Sequence, residues 1–172
     1  WFANNPNAEC TNAEATALGA LSQTEIEILD GINATTDEIN ANCDVLTEAV
    51  TTTNVIAASE TGTHFVLNSA TAFVSTLPAP AAGLEFWFHA GATQVTGGNH
   101  TIVTNSSSNV IEGSLSSPEQ AAVSCVAAAD TISFIADKAV QGDLAHVWSD
   151  GTDWYLDGHC FVQDGMTTTQ AS

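Results

Sequence analysis

Leu144-Ala145-His146-Val147-Trp148-Ser149-Asp150-Gly151-Thr152-Asp153-Trp154-Tyr155-Leu156 is the stretch whose reading decides the fold. Asp-Gly lies between His146-Val147-Trp148 and Trp154-Tyr155-Leu156, and such a pair between short apolar runs signals a hairpin. The aromatic residues on either arm then face one another across the strands, where ring contacts stabilise the pairing. A β-hairpin here makes the second half of the chain a β-domain.

The same texture continues on both sides. From about Val55 onward Thr, Val, Ser and Gly dominate, and apolar residues come in short runs between turn signals. Candidate strands are 64–68, 72–77, 85–89, 100–104, 110–113, 121–127, 131–136, 144–148, 153–156 and 159–163. The separators are Pro78-Ala79-Pro80-Ala81-Ala82-Gly83, Thr96-Gly97-Gly98-Asn99, the run 105–109 and Asp150-Gly151. Many short strands at this spacing predict an antiparallel β-sandwich or a jelly-roll-like barrel.

Ahead of that domain the pattern is helical. In Leu21-Ser22-Gln23-Thr24-Glu25-Ile26, Ser22 and Glu25 form a capping box, each satisfying the other's backbone N–H. Leu21 and Ile26 occupy the positions of a hydrophobic staple. The helix passes through Leu29 and stops at Gly31, which accepts the left-handed conformation. A second box, Thr35 with Glu38, opens another helix predicted to run to about Ala49, with Ile39, Cys43, Leu46 and Val50 on one face. Short amphipathic helices are marginal alone and must bury their stripe against something. The expected company is the same helices from other copies. The organisation is thus an extended arm over 1–20, two capped helices for anchoring or trimerisation over 21–54, and a β-domain over 55–172.

Charge narrows the function. Lys138 is the only Lys or Arg against twenty Asp and Glu, for a formal charge of −19. Nucleic-acid binding depends on Lys and Arg displacing counterions from phosphate, so no nucleic acid is expected as a partner. An anionic membrane surface needs basic clusters and is excluded on the same grounds. No run approaches the ~20 apolar residues of a membrane span. Trp1-Phe2-Ala3-Asn4-Asn5 has neither the basic nor the apolar region of a signal peptide. Partners with basic surface are favoured, and so is a salty medium that screens self-repulsion.

No catalytic constellation is visible. A nucleophile elbow of the G-x-S-x-G kind is missing, and the five His are scattered and read as structural. Asp150, Asp153 and Asp157 could offer oxygens to Ca²⁺, but the EF-hand spacing is absent, and Asp150 and Asp153 are better read as serving the turn. No metal or other cofactor is therefore expected. Cys10, Cys43, Cys125 and Cys160 allow three disulfide pairings, and buried thiols are the reading adopted. Trp87, Trp148, Trp154 and Tyr155 remain as receptor or interface aromatics. Phe86-Trp87-Phe88 places Trp87 on one face of its strand and both Phe on the other.

Residues 21–40, from Leu21-Ser22-Gln23-Thr24-Glu25-Ile26 through Leu29-Asp30-Gly31-Ile32 to Thr35-Thr36-Asp37-Glu38-Ile39-Asn40, resemble a segment that recurs in structural proteins of tailed-bacteriophage virions. Ile39 stands where that segment usually has leucine. Gly142–158 is similar to a closing hairpin of phage fibre and capsid-associated β-domains, and Asn99-His100-Thr101-Ile102-Val103-Thr104 with Asn109-Val110-Ile111-Glu112-Gly113 to the strands before it. The resemblance implies a homotrimer without catalysis. The expectation is a capsid decoration or cement protein on the outer surface of the head, bound to the major capsid protein or another shell protein. A short tail-fibre or receptor-binding domain is the alternative.

Overall fold

The structure is a computed structural model and describes residues 45–118 and 124–171. The helix caps Ser22, Glu25, Thr35 and Glu38, the apolar residues Leu21, Ile26, Leu29 and Ile39, and the arm all lie outside the described residues. The β-module forms one compact unit, Val45–Ser172, beginning ten residues earlier than expected at 55.

Alternation of apolar and polar residues makes the strands, because successive side chains point to opposite faces. In chain order they are β1 (Thr47–Val50), β2 (Asn54–Val55), β3 (His64–Leu67), β4 (Val74–Thr76), β5 (Glu85–Ala90), β6 (His100–Val103), β7 (Ile111–Ser116), β8 (Ser124–Ala129), β9 (Thr131–Phe134), β10 (Leu144–Ser149), β11 (Trp154–His159) and β12 (Met166–Thr169). A seven-stranded sheet has the order β1-β3-β5-β10-β11-β7-β8, and a five-stranded sheet the order β12-β9-β6-β4-β2.

The sheets are mixed, which corrects the antiparallel expectation. From β1 to β6 the chain alternates between them, so β1, β3 and β5 stack in parallel in one sheet while β2, β4 and β6 stack in parallel in the other. Parallel neighbours cannot be joined by a tight turn and need a crossover. Here each crossover is a strand of the opposite sheet, so the first half of the module winds as a coil. Antiparallel pairing enters with β5–β10, β10–β11, β7–β8, β6–β9 and β9–β12.

One core joins the inner faces. Phe65, Phe86, Phe88, Val147 and Trp154 from the larger sheet meet Ile102, Ile132, Phe134 and Met166 from the smaller. Phe86 and Phe88 are fully buried while Trp87 is not, as their alternation requires. Full burial of such side chains stabilises by about 1.5–3 kcal/mol each.

Three further expectations are corrected. The second helix does not continue to Ala49: residues 47–50 pair with β3, and only Val50 of that stretch is buried. Leu46, expected as a helix contact, is exposed rather than buried, and its carbonyl accepts the His64 N–H. A strand that completes a sheet edge outweighs a weak helical period in so short a piece. Trp154, assigned to a receptor or interface surface, is wholly inside the core. Finally, the strand expected at 153–156 runs on to His159 as β11, residues 160–163 of the strand expected at 159–163 lie outside any strand, and the last strand is β12, at Met166–Thr169.

Candidate functional site

The outer face of the seven-stranded sheet gathers side chains that lie far apart in sequence. Cross-strand partners share a face. One row runs His64, Trp87, His146, Asp157, Ser114 across β3, β5, β10, β11 and β7. A second runs Glu85, Trp148, Tyr155, Glu112 across β5, β10, β11 and β7. A third runs Val66, His89, Leu144, His159, Ser116. Four of the five His in the chain therefore lie on one surface.

The rings are ordered by stacking. The Trp87 indole is sandwiched between the imidazoles of His64 and His146, with centroids 4.7 and 4.5 Å away and planes tilted by 3° and 5°. His64 also stacks on His89, and its Nδ1 is 3.0 Å from His89 Nε2. Burial lowers the His89 pKa, and the neighbouring His64 lowers it further. On the other side, His146 Nε2 stands 3.7 Å from a Glu85 carboxylate oxygen and is buried without a hydrogen-bond partner. His159 Nδ1 is 3.1 Å from the Ser116 hydroxyl.

Trp148 and Tyr155 stack at 4.4 Å, and Trp148 is 44% exposed. Beside Trp148 is a shallow cavity of about 280 Å³ lined by Gly83, Leu84, Glu85, Trp148 and Ser149. The Tyr155 hydroxyl donates to Asp150, whose carboxylate also accepts the Thr152 and Asp153 amides. Those amide bonds, then the Tyr155 hydroxyl, hold the Asp150 pKa below its ordinary value. Asp150 thus organises a four-residue loop closed by the Ser149–Trp154 pair, and Gly151 takes φ 106° within it.

Of the aromatics singled out in the sequence, Trp87, Trp148 and Tyr155 converge on this face, and Trp154 points the other way. The histidines were missed as a group. Their signal was available: His64, His89 and His146 each neighbour a buried apolar residue, so all three must point outward. Among the described residues, no group of three or more His, Cys, Asp and Glu is placed to hold a metal ion. Both Asp150 oxygens are engaged within the loop. Cys160 is a buried thiol whose pKa burial pushes up.

This face is broad and open, with stacked rings, imidazoles and carboxylates. The arrangement can offer rings to stack on and carboxylates to pair with cations. No family model, curated protein or solved structure significantly matches the chain.

Proposed function

We propose that the protein is a non-enzymatic structural component of a tailed-phage virion, a decoration or cement protein on the outer surface of the head. The observation that supports this reading is the broad aromatic and acidic face formed by β3, β5, β10 and β11. It offers a partner a surface to cover. The virion-like segment over 21–40 supplies the kind of partner, a shell protein of the head. In this reading the residues ahead of the β-module, 1–44, grip the shell or the neighbouring copies of a homotrimer, and the face makes the module's own contact with the particle. A charge of −19 favours a basic underlying surface and speeds encounter with it.

Binding to purified particles tests the reading. Added protein should coat the head in a regular lattice visible by electron microscopy and raise the temperature at which heads rupture. Labelling confined to the tail would overturn it. Mass in solution, at low and high salt, tests the trimer separately: a monomer at both would remove it.

A second reading is a short tail-fibre or receptor-binding domain, favoured by the exposed Trp148–Tyr155 stack. Stacked aromatic rings are suited to the apolar face of a sugar. Tail-confined labelling together with glycan binding would establish it.

A further inference from the structure

We propose that the cavity between Glu85 and Trp148 receives an arginine side chain from a protein partner. The inference deepens the docking reading and rests on it for the partner's being a protein.

The cavity is small, about 280 Å³, and Trp148 and Glu85 are both among the residues that line it. Trp148 is 44% exposed and the Glu85 side chain 47% exposed, so both are open to a visitor. A cation over an indole is attracted by the negative face of the ring. The planar guanidinium also stacks there and bonds a carboxylate through its fork, which a lysine ammonium cannot do. Glu85 and Trp148 are direct cross-strand partners, so ring and carboxylate lie next to one another on the same face. Tyr155, stacked on the far side of Trp148, and Glu112 beyond it extend the same row.

The cation has to come from outside. The chain has a single Lys or Arg, Lys138, and its amine lies 3.5 Å from the Asp164 carboxylate. The nearest partner to Glu85 is His146, at 3.7 Å and cationic only when protonated. A second copy of this chain therefore cannot supply a guanidinium. A neutral sugar would use the ring and could donate hydroxyls to Glu85, but a guanidinium also meets its charge, and charge-assisted bonds are the stronger ones.

The experiment titrates the full chain with a short arginine-rich peptide, its lysine counterpart and a neutral oligosaccharide, at about 0.15 M salt where long-range attraction is screened. Calorimetry gives the affinities. The arginine peptide is expected to bind tighter than the lysine peptide. Trp148→Ala should weaken it by about 3- to 30-fold, and Glu85→Gln by about 2- to 5-fold. Both sites are exposed, and circular dichroism checks that the fold is kept. Glu48→Gln is the control: it lies in a second cavity whose lining includes Glu60 but no aromatic ring, and it should leave the arginine preference unchanged.

Equal affinity for the two peptides overturns the proposal, as does arginine binding indifferent to Trp148→Ala. Tighter binding of the oligosaccharide, lost in Trp148→Ala, overturns it in favour of a glycan site. Selectivity for arginine with no attachment to phage heads supports this site and sinks the docking reading. Attachment to heads by a protein with no arginine preference does the reverse.

Discussion

His64 Nδ1 stands 3.0 Å from His89 Nε2, so one ring must donate and the other accept, and a single proton lies between these two nitrogens when both rings are neutral. Protonating both rings would set two N–H groups against each other. His89 carries the clearer consequence: burial lowers its pKa, and the charge of His64 lowers it further. Since the folded value is below the unfolded one, the unfolded chain takes up the proton first as pH falls. The stability His89 contributes is therefore present above about pH 6.5 and is lost as pH falls through the folded value.

The stability gap between the wild type and His89→Gln should shrink as pH is lowered from about 7.5 to 5. Comparing the pair cancels the opposing effect of neutralising so many carboxylates. By NMR, the His89 ring should titrate below an ordinary histidine, and His64→Gln should raise its midpoint without restoring it fully. A stability gap that stays constant across this range would contradict the assignment.

Gly113 is the tightest glycine position of the seven-stranded sheet. It has φ 142°, and a Cβ placed there would meet the Leu156 carbonyl oxygen at 2.0 Å. The pairing of β7 with β8 also shifts register between Ile111 and Gly113, as at a β-bulge. Gly113→Ala should cost roughly 2–4 kcal/mol, from backbone strain together with overpacking. Gly62 separates the two effects: its φ is 86°, but nothing lies within 4 Å of its Cβ position. Gly62→Ala should cost only about 1 kcal/mol. Urea midpoints measure both, and equal midpoints for the two variants would remove the steric part of the argument.

Much of the sheet geometry was legible because pleat parity is local. Phe86 and Phe88 inward with Trp87 outward follows from three adjacent letters, and the Trp148–Tyr155 pair from the hairpin. Parity also holds the answer for Trp154, which shares its inward phase with Leu156 and Cys160. What parity cannot give is which strands become neighbours. His64, Trp87 and His146 form one stack only because β3, β5 and β10 are adjacent in the sheet, and neither their spacing nor their flanking turns states that adjacency. The parallel coil was hidden for the same reason: the strands expected at 64–68 and 72–77 are only three residues apart, yet the chain passes between them to the opposite sheet. Residues 47–50 were misread because helical spacing in four residues is weak evidence beside an open sheet edge.

Asp143 is fully buried and its two carboxylate oxygens serve separate segments. One accepts the Val140 N–H at 2.9 Å and the other the Phe161 N–H at 2.8 Å. It thereby ties the turn before β10 to the segment after β11. Asp143→Ala would leave two amides without that acceptor, at about 1–3 kcal/mol for each that stays buried. Asp143→Asn keeps one acceptor oxygen and turns an amide group toward the other N–H, so an intermediate loss is expected. Hydrogen exchange should speed up at Val140 and Phe161 before it does in β10. Unchanged exchange at both amides would mean that the tie carries no weight.

Tyr155 is the only tyrosine of the chain, which makes its ionisation directly readable by ultraviolet absorbance. Its hydroxyl donates to Asp150 at 3.0 Å, and losing the proton would both break that bond and set phenolate against carboxylate. The hydrogen bond and then the charge of Asp150 raise its pKa, so the phenol should titrate above the ordinary tyrosine value of about 10. Asp150→Asn removes the charge and weakens the bond, and the midpoint should fall back toward the ordinary value. The same variant loosens the loop at Thr152 and Asp153, whose amides the carboxylate accepts. If the guanidinium site depends on Tyr155 backing Trp148, the arginine preference should weaken in Asp150→Asn along with the fall in midpoint. A midpoint that does not move would show that the Tyr155–Asp150 bond is absent in solution, and the ring row would then lack its anchor at that end.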